Sequence, residues 1–227
     1  MNKCICVAAL LLGGSALSAQ AQTKAGTVLL GGGLGASKSK AEYTASYQSQ
    51  TGHSESTSFS LSPRAGYFLA DNLVLGLITA YNHSRSESEG FDNVGIKNTY
   101  TTKGNGYQLG PFVRYYKMLG EKAGFFGQLE AGYSRSSGES EDNNASLSTR
   151  KNRGYYGLLT PGFAYFPTPK LGLEITLGNV GYSKNTTVAT DSFQQEPIRT
   201  TETTESGLGA SFSLGSLAIG AAFYLGR

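Results

Sequence analysis

Cysteine is nearly absent from this chain, and the two cysteines present, Cys4 and Cys6, both lie at the extreme N-terminus. The surrounding segment has a positive start at Lys3, an apolar core and the small-x-small sequence Ala19-Gln-Ala21. That combination is typical of a secretory signal peptide over residues 1–21. Cleavage there would leave a mature chain without a thiol, so we expect neither a disulfide nor a cysteine metal site.

Long apolar runs are missing as well. After residue 21 no stretch of 18 apolar residues occurs, which excludes a transmembrane helix from the mature chain. Charge of one sign is also scarce, because the net charge of +3 falls to +2 when Lys3 is removed. We therefore expect no nucleic-acid partner. Tryptophan is absent, but 14 tyrosines, 11 phenylalanines and 31 glycines in 227 residues are compatible with one all-β domain.

One motif recurs three times along the chain. It reads Leu-x-Pro-x-x-x-Tyr-(Phe/Tyr) and occurs at residues 61–68, 109–116 and 159–166. A period of roughly 50 residues indicates one repeated supersecondary unit. Each copy is followed by a short turn and a second alternating run, which predicts a β-hairpin. Proline cannot donate to a strand ladder, so three prolines at one register favour a shared β-bulge.

Alternating hydrophobicity predicts eight strands. They cover residues 27–36, 58–69, 73–81, 105–118, 125–134, 153–166, 171–177 and 217–225. Three tight turns, at 70–72, 120–122 and 167–169, alternate with four polar loops, at 37–57, 84–104, 136–152 and 184–204. The Ser/Thr/Gly-rich loops also allow an extension of the strands. The alternation slips near Gly215-Ser216, which indicates a bulge or a late strand start.

The two faces of these strands differ in a way that distinguishes a membrane barrel from a soluble one. Leucine, valine and tyrosine occupy one face, and the opposite face carries Arg64, Arg114, Glu130 and Glu174. Charges in a sealed apolar core are costly unless they are paired, whereas they suit a polar lumen with lipid outside. An eight-stranded barrel is only wide enough for side chains to fill. We therefore predict a salt-bridged plug, with a narrow polar path as the alternative.

Aromatic residues cluster at both ends of the apolar face and predict two membrane-interface girdles. Those at the short-turn end are Tyr67, Tyr115, Phe125, Tyr165 and Phe223, and those at the loop end are Phe59, Tyr81, Tyr107, Tyr133 and Tyr155. The eight residues from Tyr107 to Tyr115 span roughly 20 Å at about 40° tilt. That length is close to the apolar band of about 25 Å in such barrels.

Catalytic and metal-binding groups are few. Apart from His53 in a Ser-rich loop, the one histidine with chemically suitable neighbours is His83, which is followed by Ser84, Ser86 and Glu87. Because the segment is rich in serine and glutamate, these neighbours are expected by composition alone. The acidic group at 139–142 is expected to be solvated rather than to bind calcium. We therefore expect no enzyme, cofactor or metal site, with a lipid-modifying enzyme as a third functional hypothesis.

The repeated Pro-x-x-x-Tyr-(Phe/Tyr) residues, the order of turns and loops and the terminal strand 217–225 resemble the small eight-stranded outer-membrane barrels of the OmpA and OmpX type. The most similar group is the porin-like outer-membrane protein β-barrel domain family, and the resemblance covers residues 22–227. It implies an all-β, eight-stranded antiparallel up-and-down transmembrane β-barrel in a Gram-negative outer membrane. One departure is the end of the chain, Tyr224-Leu-Gly-Arg227, where such barrels usually end on an aromatic residue.

The resemblance also implies partners and functions. The expected partners are outer-membrane lipid and, during insertion, the barrel-assembly machinery, while the extracellular ligand is not identified by any motif. The first functional hypothesis is a structural or surface-interaction protein with a plugged polar lumen. The second is a small porin or hydrophobic-solute channel.

Overall fold

A computed structural model of the protein describes residues 22–45, 50–91, 97–142, 147–192, 199–213 and 217–226. The predicted signal peptide at residues 1–21 lies outside the described residues. The strands are β1 (Val28–Ala45), β2 (Gln50–Ala70), β3 (Leu73–Phe91), β4 (Lys97–Met118), β5 (Ala123–Asp142), β6 (Leu147–Thr168), β7 (Leu171–Leu177), β8 (Asn179–Ser192), β9 (Arg199–Ser211) and β10 (Leu217–Leu225). Within the described ranges, no helix has the length and apolarity needed to cross a membrane.

These strands form a closed eight-stranded antiparallel barrel, as the sequence predicts. Each of β1 to β6 pairs with the next strand, and β10 pairs with both β7 and β1 to close the ring. The strands β7 and β8 form one wall strand that is interrupted at Gly178, and β9 and β10 form the last wall strand. Three short connections lie at one end, which we call the short-turn end, and the long hairpins lie at the other.

The strands continue much further than the alternation predicts, so most of the predicted loop residues are in strands. The β3–β4 ladder, for example, runs up to the pair Phe91↔Lys97. At about 3.3 Å per residue and about 40° tilt, the 20 residues of β5 extend about 50 Å, roughly twice the apolar band. The loop prediction is wrong because both faces of these extensions are polar, which leaves no hydrophobic alternation to read. The alternative of extended strands is correct.

The repeated prolines interrupt the ladder without a common bulge. Around Pro63 the β2–β3 ladder breaks and resumes without a register shift, and the β4–β5 ladder does the same around Pro111. Around Pro161 the register shifts by one residue, because the facing wall strand contains the extra residue Gly178. Gly178 has a φ of +69°, a left-handed conformation that favours glycine. The prediction of a shared bulge is therefore wrong, since a missing N–H breaks a ladder bond without adding a residue.

The wall has a seam between its first and last strands in the long-hairpin half. The β1–β10 ladder covers only Val28–Gly32, and among the described residues β1 then pairs only with β2 while β9 pairs only with β8. Both unpaired edges carry the sequence Gly-Leu-Gly-Ala, at 33–36 and 207–210. Their leucines are highly exposed, Leu34 at 76% and Leu208 at 79%.

The predicted slip of alternation coincides with the break in the last wall strand. The strand β9 ends at Ser211 and β10 begins at Leu217, and the two ladders with the neighbouring wall strand differ in register by four residues. Gly215 and Ser216 themselves lie outside the described residues. The last wall strand therefore has four residues more than a continuous register would need, and β9 does not continue the register of β10.

Residues 22–27 lie across the short-turn mouth of the barrel. The backbone N–H of Gly26 donates to the Phe68 carbonyl at 2.9 Å, and the N–H of Asn72 donates to the Thr23 carbonyl at 2.7 Å. On the opposite side, the Gln22 amide donates to the Thr168 carbonyl at 3.0 Å. Gln22, Thr23 and Thr27 are buried. The segment therefore bridges the β2–β3 turn and the end of β6, and it covers this mouth.

Inside the same end, the barrel is filled by apolar and aromatic side chains. The buried cluster consists of Leu29, Phe68, Val74, Phe112, Tyr116, Phe126, Ala164, Phe166, Ala222 and Tyr224. Three of them are the last residues of the three repeat copies. The first aromatic of each copy lies on the outer face, and the second points inward because successive strand residues alternate between faces.

Candidate functional site: a buried ionic cluster in the lumen

Arg114 is the centre of a polar cluster directly above the aromatic filling. It lies on the inward face of β4 and is only 1% exposed. Its Nε and Nη2 donate to Gln128 Oε1 at 2.9 and 2.6 Å, and its Nη1 donates to the Tyr116 hydroxyl and to Glu174 Oε1, both at 2.8 Å. Its guanidinium carbon also lies 4.2 Å from the centre of the Phe126 ring, a cation–π arrangement.

Glu174 balances this charge from across the barrel. It lies on β7, is 2% exposed, and forms ion pairs with both Arg114 and Arg64. The Tyr224 hydroxyl donates to Glu174 Oε1 at 3.1 Å and lies 2.8 Å from the Tyr116 hydroxyl. A buried ion pair is tolerated when its remaining hydrogen-bonding positions are also occupied. Arg114 and Glu174 each have several such partners, whereas Arg64 Nε has none among the described residues. The cluster connects β2, β4, β7 and β10 through the interior.

Glu130 belongs to the cluster only indirectly. Its Oε2 accepts a 2.8 Å hydrogen bond from the Gln128 amide, and Gln128 in turn accepts from Arg114. Of the four charged residues singled out in the sequence, Arg64, Arg114 and Glu174 are therefore in direct contact, and Glu130 is connected through Gln128. Two arginines and two glutamates give this cluster no formal net charge.

The sequence reasoning missed two members of the cluster, Tyr116 and Tyr224. Both follow an outward-facing aromatic residue, Tyr115 and Phe223 respectively, and therefore take the inward parity. Their position directly after an outward-facing residue was the signal in the sequence that could have identified them as inward-facing.

The side of the cluster that faces the long hairpins borders a polar part of the lumen. Arg64 has a side chain that is 15% exposed, and its Nε has no hydrogen-bond partner among the described residues. Further towards the long hairpins, a cavity of about 380 Å³ is lined by Asn82, Ser84, Ser136, Arg150 and Asn152, among others. The buried aromatic cluster therefore lies at the short-turn end of the barrel interior, and the polar cavity lies towards the long hairpins.

The predicted girdle residues lie on the outer surface of the barrel. Eight are exposed, namely Phe59, Tyr67, Tyr107, Tyr115, Phe125, Tyr133, Tyr155 and Phe223, while Tyr81 and Tyr165 are half-buried. Neighbouring rings at the long-hairpin end contact each other, with centroids 5.0 Å apart for Tyr81 and Tyr107 and 5.5 Å apart for Tyr133 and Tyr155. Leucine, valine and isoleucine occupy the outer face between the two sets.

The histidine candidate does not assemble with its serines. The Nδ1 of His83 lies 2.8 Å from Asn105 Oδ1, which also accepts from the Tyr81 hydroxyl, so His83 lies on the outer face. Ser84 and Ser86 have the opposite parity, and Glu87 forms an ion pair with Arg85. The described residues contain no group of three or more His, Cys, Asp or Glu side chains arranged to hold a metal ion.

Several solved structures of outer-membrane proteins are similar to this fold. Among solved structures, the outer membrane protein OprG from Pseudomonas aeruginosa is similar, with a TM-score of 0.50, 16% sequence identity and coverage of 90% of this chain and 98% of that chain. A major outer membrane protein from Thermus thermophilus gives a TM-score of 0.47, 16% identity and coverage of 88% and 98%. The ferric yersiniabactin uptake receptor FyuA from Yersinia pestis gives 0.48, 11% identity and coverage of 81% and 31%.

No curated protein matches the chain. At these identities the structural likeness shows the fold alone. A family model, however, matches residues 7–213, which is most of the chain. The chain therefore belongs to the outer membrane protein beta-barrel domain family and is an outer-membrane barrel protein.

Proposed function

We propose that this protein has a structural and surface-interaction role in the outer membrane, with a lumen that is closed on the periplasmic side. The observation that carries the proposal is the buried cluster of Arg114, Glu174, Tyr116 and Tyr224, in which oppositely charged and hydroxyl groups from three strands contact one another. Residues 22–27 lie across the same end of the barrel and form a second barrier. Together with the aromatic filling between them, these two barriers are expected to block a continuous polar path through the described part of the barrel.

The placement in the membrane follows from the outer surface. Tyrosine and tryptophan favour the interface between lipid and water, and apolar side chains favour the region between the two interfaces. The two sets of outward aromatic residues therefore mark the two interfaces, with the short turns in the periplasm. The hairpins then project about 25 Å beyond the membrane, the difference between the length of β5 and the apolar band.

Insertion into the membrane requires the barrel-assembly machinery and outer-membrane lipid as partners. The strand β10 carries the outward aromatic Phe223 near the end of the chain and pairs with β1 to close the barrel. We assign Phe223 as an aromatic residue of this closing strand that the machinery reads.

Conductance measurement tests the closed lumen. Purified full-length protein in a planar lipid bilayer is expected to give no stable, large conductance steps. A variant that combines Arg114→Ala, Glu174→Ala and deletion of residues 22–26 with Phe68→Ala, Tyr116→Ala and Phe166→Ala also opens the aromatic filling and is expected to conduct. Stable large steps from the unmodified protein would show that the lumen is an open pore.

The surface-interaction role is tested on the projecting hairpins. Ser86 pairs with Thr102, so deletion of residues 87–101 shortens the β3–β4 hairpin while the register below it is kept. Cells that express the intact protein are expected to adhere more strongly to uncoated glass than cells that express the shortened variant. Equal adhesion, with equal amounts of folded protein in the membrane, argues against a role of this hairpin in attachment.

The seam between β1 and β9 favours a second candidate, a hydrophobic-solute channel. Within the apolar band, Gly33–Ala36 and Gly207–Ala210 lack ladder partners on one side. Unpaired backbone groups are costly in lipid, so this part of the wall requires water or a solute beside it. A solute that enters the lumen from the long-hairpin end would leave sideways through the seam, because aromatic side chains occupy the periplasmic end.

Cross-linking distinguishes this candidate from the first. The mature chain is expected to lack cysteine, so Gly35→Cys and Gly209→Cys introduce a unique pair on the two edges. Uptake of a hydrophobic fluorescent dye by cells that express this variant is expected to fall on addition of a bifunctional maleimide if the seam is the route. Uptake that does not depend on the protein, with or without the cross-linker, excludes the channel.

A further inference from the structure

Basic side chains recur on the outer face of the barrel, just beyond the aromatic girdle at the long-hairpin end. They share the outward parity with the aromatic residues below them on the same face. The set comprises Lys38, Lys40, Arg85, Lys103, Lys151, Arg153, Arg135 and Lys184. Acidic side chains of the protein neutralise some of these charges and leave others poorly compensated.

On one side of the barrel, acidic partners neutralise them. Lys38 and Lys40 both form ion pairs with Glu55, and Arg85 forms an ion pair with Glu87. These pairs lie on β1, β2 and β3, so this part of the outer surface has little uncompensated charge.

On the other side, across β5, β6 and β8, the charges are poorly compensated. Arg135 and Arg153 are direct cross-strand partners, an arrangement in which like charges destabilise the sheet. Arg153 has only a 3.9 Å contact with Glu202, and both side chains are more than half exposed. Within the described ranges, no ion pair involves Arg135, Lys151 or Lys184. We call these four residues, Arg135, Lys151, Arg153 and Lys184, the basic patch.

The basic patch borders a pocket on the outer surface. The pocket has a volume of about 390 Å³ and is lined by Tyr107, Arg135 and Lys151, together with the polar residues Asn105, Ser137 and Thr149. Tyr107 lies at its membrane side and is 58% exposed. Glu139 lines the far end, four residues or about 13 Å along β5 from Arg135, and is the register partner of Lys103.

We propose that this pocket binds the phosphorylated headgroup of a lipid in the outer leaflet. Arginine binds phosphate through two parallel hydrogen bonds, and Arg135 and Arg153 would both approach one anionic group, which relieves their mutual repulsion. Asn105, Ser137 and Thr149 supply hydrogen bonds for headgroup hydroxyls. The lipid chains would lie on the apolar face below, where Leu109 and Leu129 are exposed at 59% and 58%.

The position of the pocket favours a lipid over a soluble anion. Seven of its eight lining residues have the outward parity, so the pocket lies on the face shared with the aromatic girdle. Basic side chains at this depth lie level with lipid phosphates, and each contributes to binding an anionic surface. The proposal does not depend on whether the lumen is plugged.

The test compares two double variants of the full-length folded protein in detergent micelles. Arg135→Gln/Arg153→Gln removes two charges from the basic patch, and Lys38→Gln/Lys40→Gln removes two charges from the neutralised side as the matched control. Binding of purified lipid A with its two phosphates is measured by native mass spectrometry, and folding is checked by the shift in gel migration of unheated samples. Each single arginine variant is measured as well, so that a double variant that fails to fold does not end the test.

The expected result is a loss of affinity of roughly tenfold to thirtyfold in the arginine variant, with the lysine control close to the unmodified protein. Dephosphorylated lipid A should bind no better to the unmodified protein than to the arginine variant. Equal affinity of the arginine variant and the unmodified protein, or an equal loss in the control, overturns the proposal. Displacement of the lipid by inorganic phosphate at an equimolar concentration also overturns it, because the site would then be one for a soluble anion.

Discussion

Replacement of Glu174 by glutamine tests whether the cluster holds the barrel together. Among the described residues, Glu174 is the one carboxylate in direct contact with both arginines, and its side chain is 2% exposed. Loss of one partner of a buried ion pair costs about 3–5 kcal/mol because the other charge stays buried. We expect Glu174→Gln to lower the free energy of unfolding by about 3 kcal/mol, the lower end, since Arg114 keeps its bonds to Gln128 and Tyr116.

The measurement is reversible urea unfolding in lipid vesicles, followed by tyrosine fluorescence and by gel migration of unheated samples. Glu202→Gln is the matched control, because Glu202 contacts Arg153 at 3.9 Å and both side chains are more than half exposed. An exposed pair of this kind contributes about 0–1 kcal/mol. If Glu174→Gln changes the free energy of unfolding no more than Glu202→Gln does, the interior ion pairs do not stabilise the fold and the reasoning fails.

A double variant separates the cost of an unpaired charge from the value of the pair. Replacement of both partners of a buried pair by apolar residues of similar volume is often neutral or stabilising. Glu174 also pairs with Arg64, which stays unpaired in both variants, so we expect Arg114→Met/Glu174→Met to recover only part of the stability that Glu174→Met alone loses. A double variant as unstable as the sum of the single variants would instead mean that the pair itself supplies the stability.

Two further predictions concern the backbone and the outer charges. Gly178→Ala should destabilise the barrel by about 1–2 kcal/mol, because φ there is +69° and an added Cβ meets the backbone at Ser211 and Phe212; Gly220→Ala, where nothing lies within 4 Å of the added Cβ, is the control, and equal stability of the two variants would contradict the strain argument. Hydrogen bonds from Lys38 and Lys40 lower the pKa of Glu55 below its ordinary value. The contribution of this carboxylate to stability is therefore present above its unfolded-state pKa and is lost as pH falls through the lower folded-state pKa; an NMR titration should show the Glu55 pKa rising in Lys38→Ala/Lys40→Ala, and an unchanged value would exclude the lysines as the cause.

The eight-stranded architecture is predictable from the sequence because one face of each strand is apolar within the membrane band. The alternation in residues such as Leu73, Leu75 and Leu77 carries that information directly. Where both faces are polar, as from Ser84 onward in β3, alternation disappears although the strand continues. The length of the hairpins is for this reason not readable from hydrophobic period alone.

The composition of the cluster is predictable only in part. Parity is sufficient to place Arg64, Arg114, Glu130 and Glu174 on the inward face. Which of them meet depends on the stagger of distant strands, and Arg114 and Glu174 are 60 residues apart in sequence. A one-residue shift of the β6–β7 ladder, such as the one that Gly178 introduces on the other side of Pro161, would move Glu174 to the outer face, so the pairing depends on a register that no single strand encodes.

The structure separates stability from surface function along the barrel axis. The side chains that connect strands through the interior, Arg114, Glu174, Tyr116 and Tyr224, all lie in the short-turn half, where the β1–β10 ladder also closes the wall. The long-hairpin half has the seam, the polar cavity and the basic patch, and its strands β1 and β9 lack a ladder to each other. A barrel closed and cross-connected at one end tolerates incomplete pairing at the other, because the first end fixes the positions of all eight wall strands. Changes in the cluster should therefore alter unfolding without altering lipid binding to the folded protein, and changes at Arg135 and Arg153 should do the reverse.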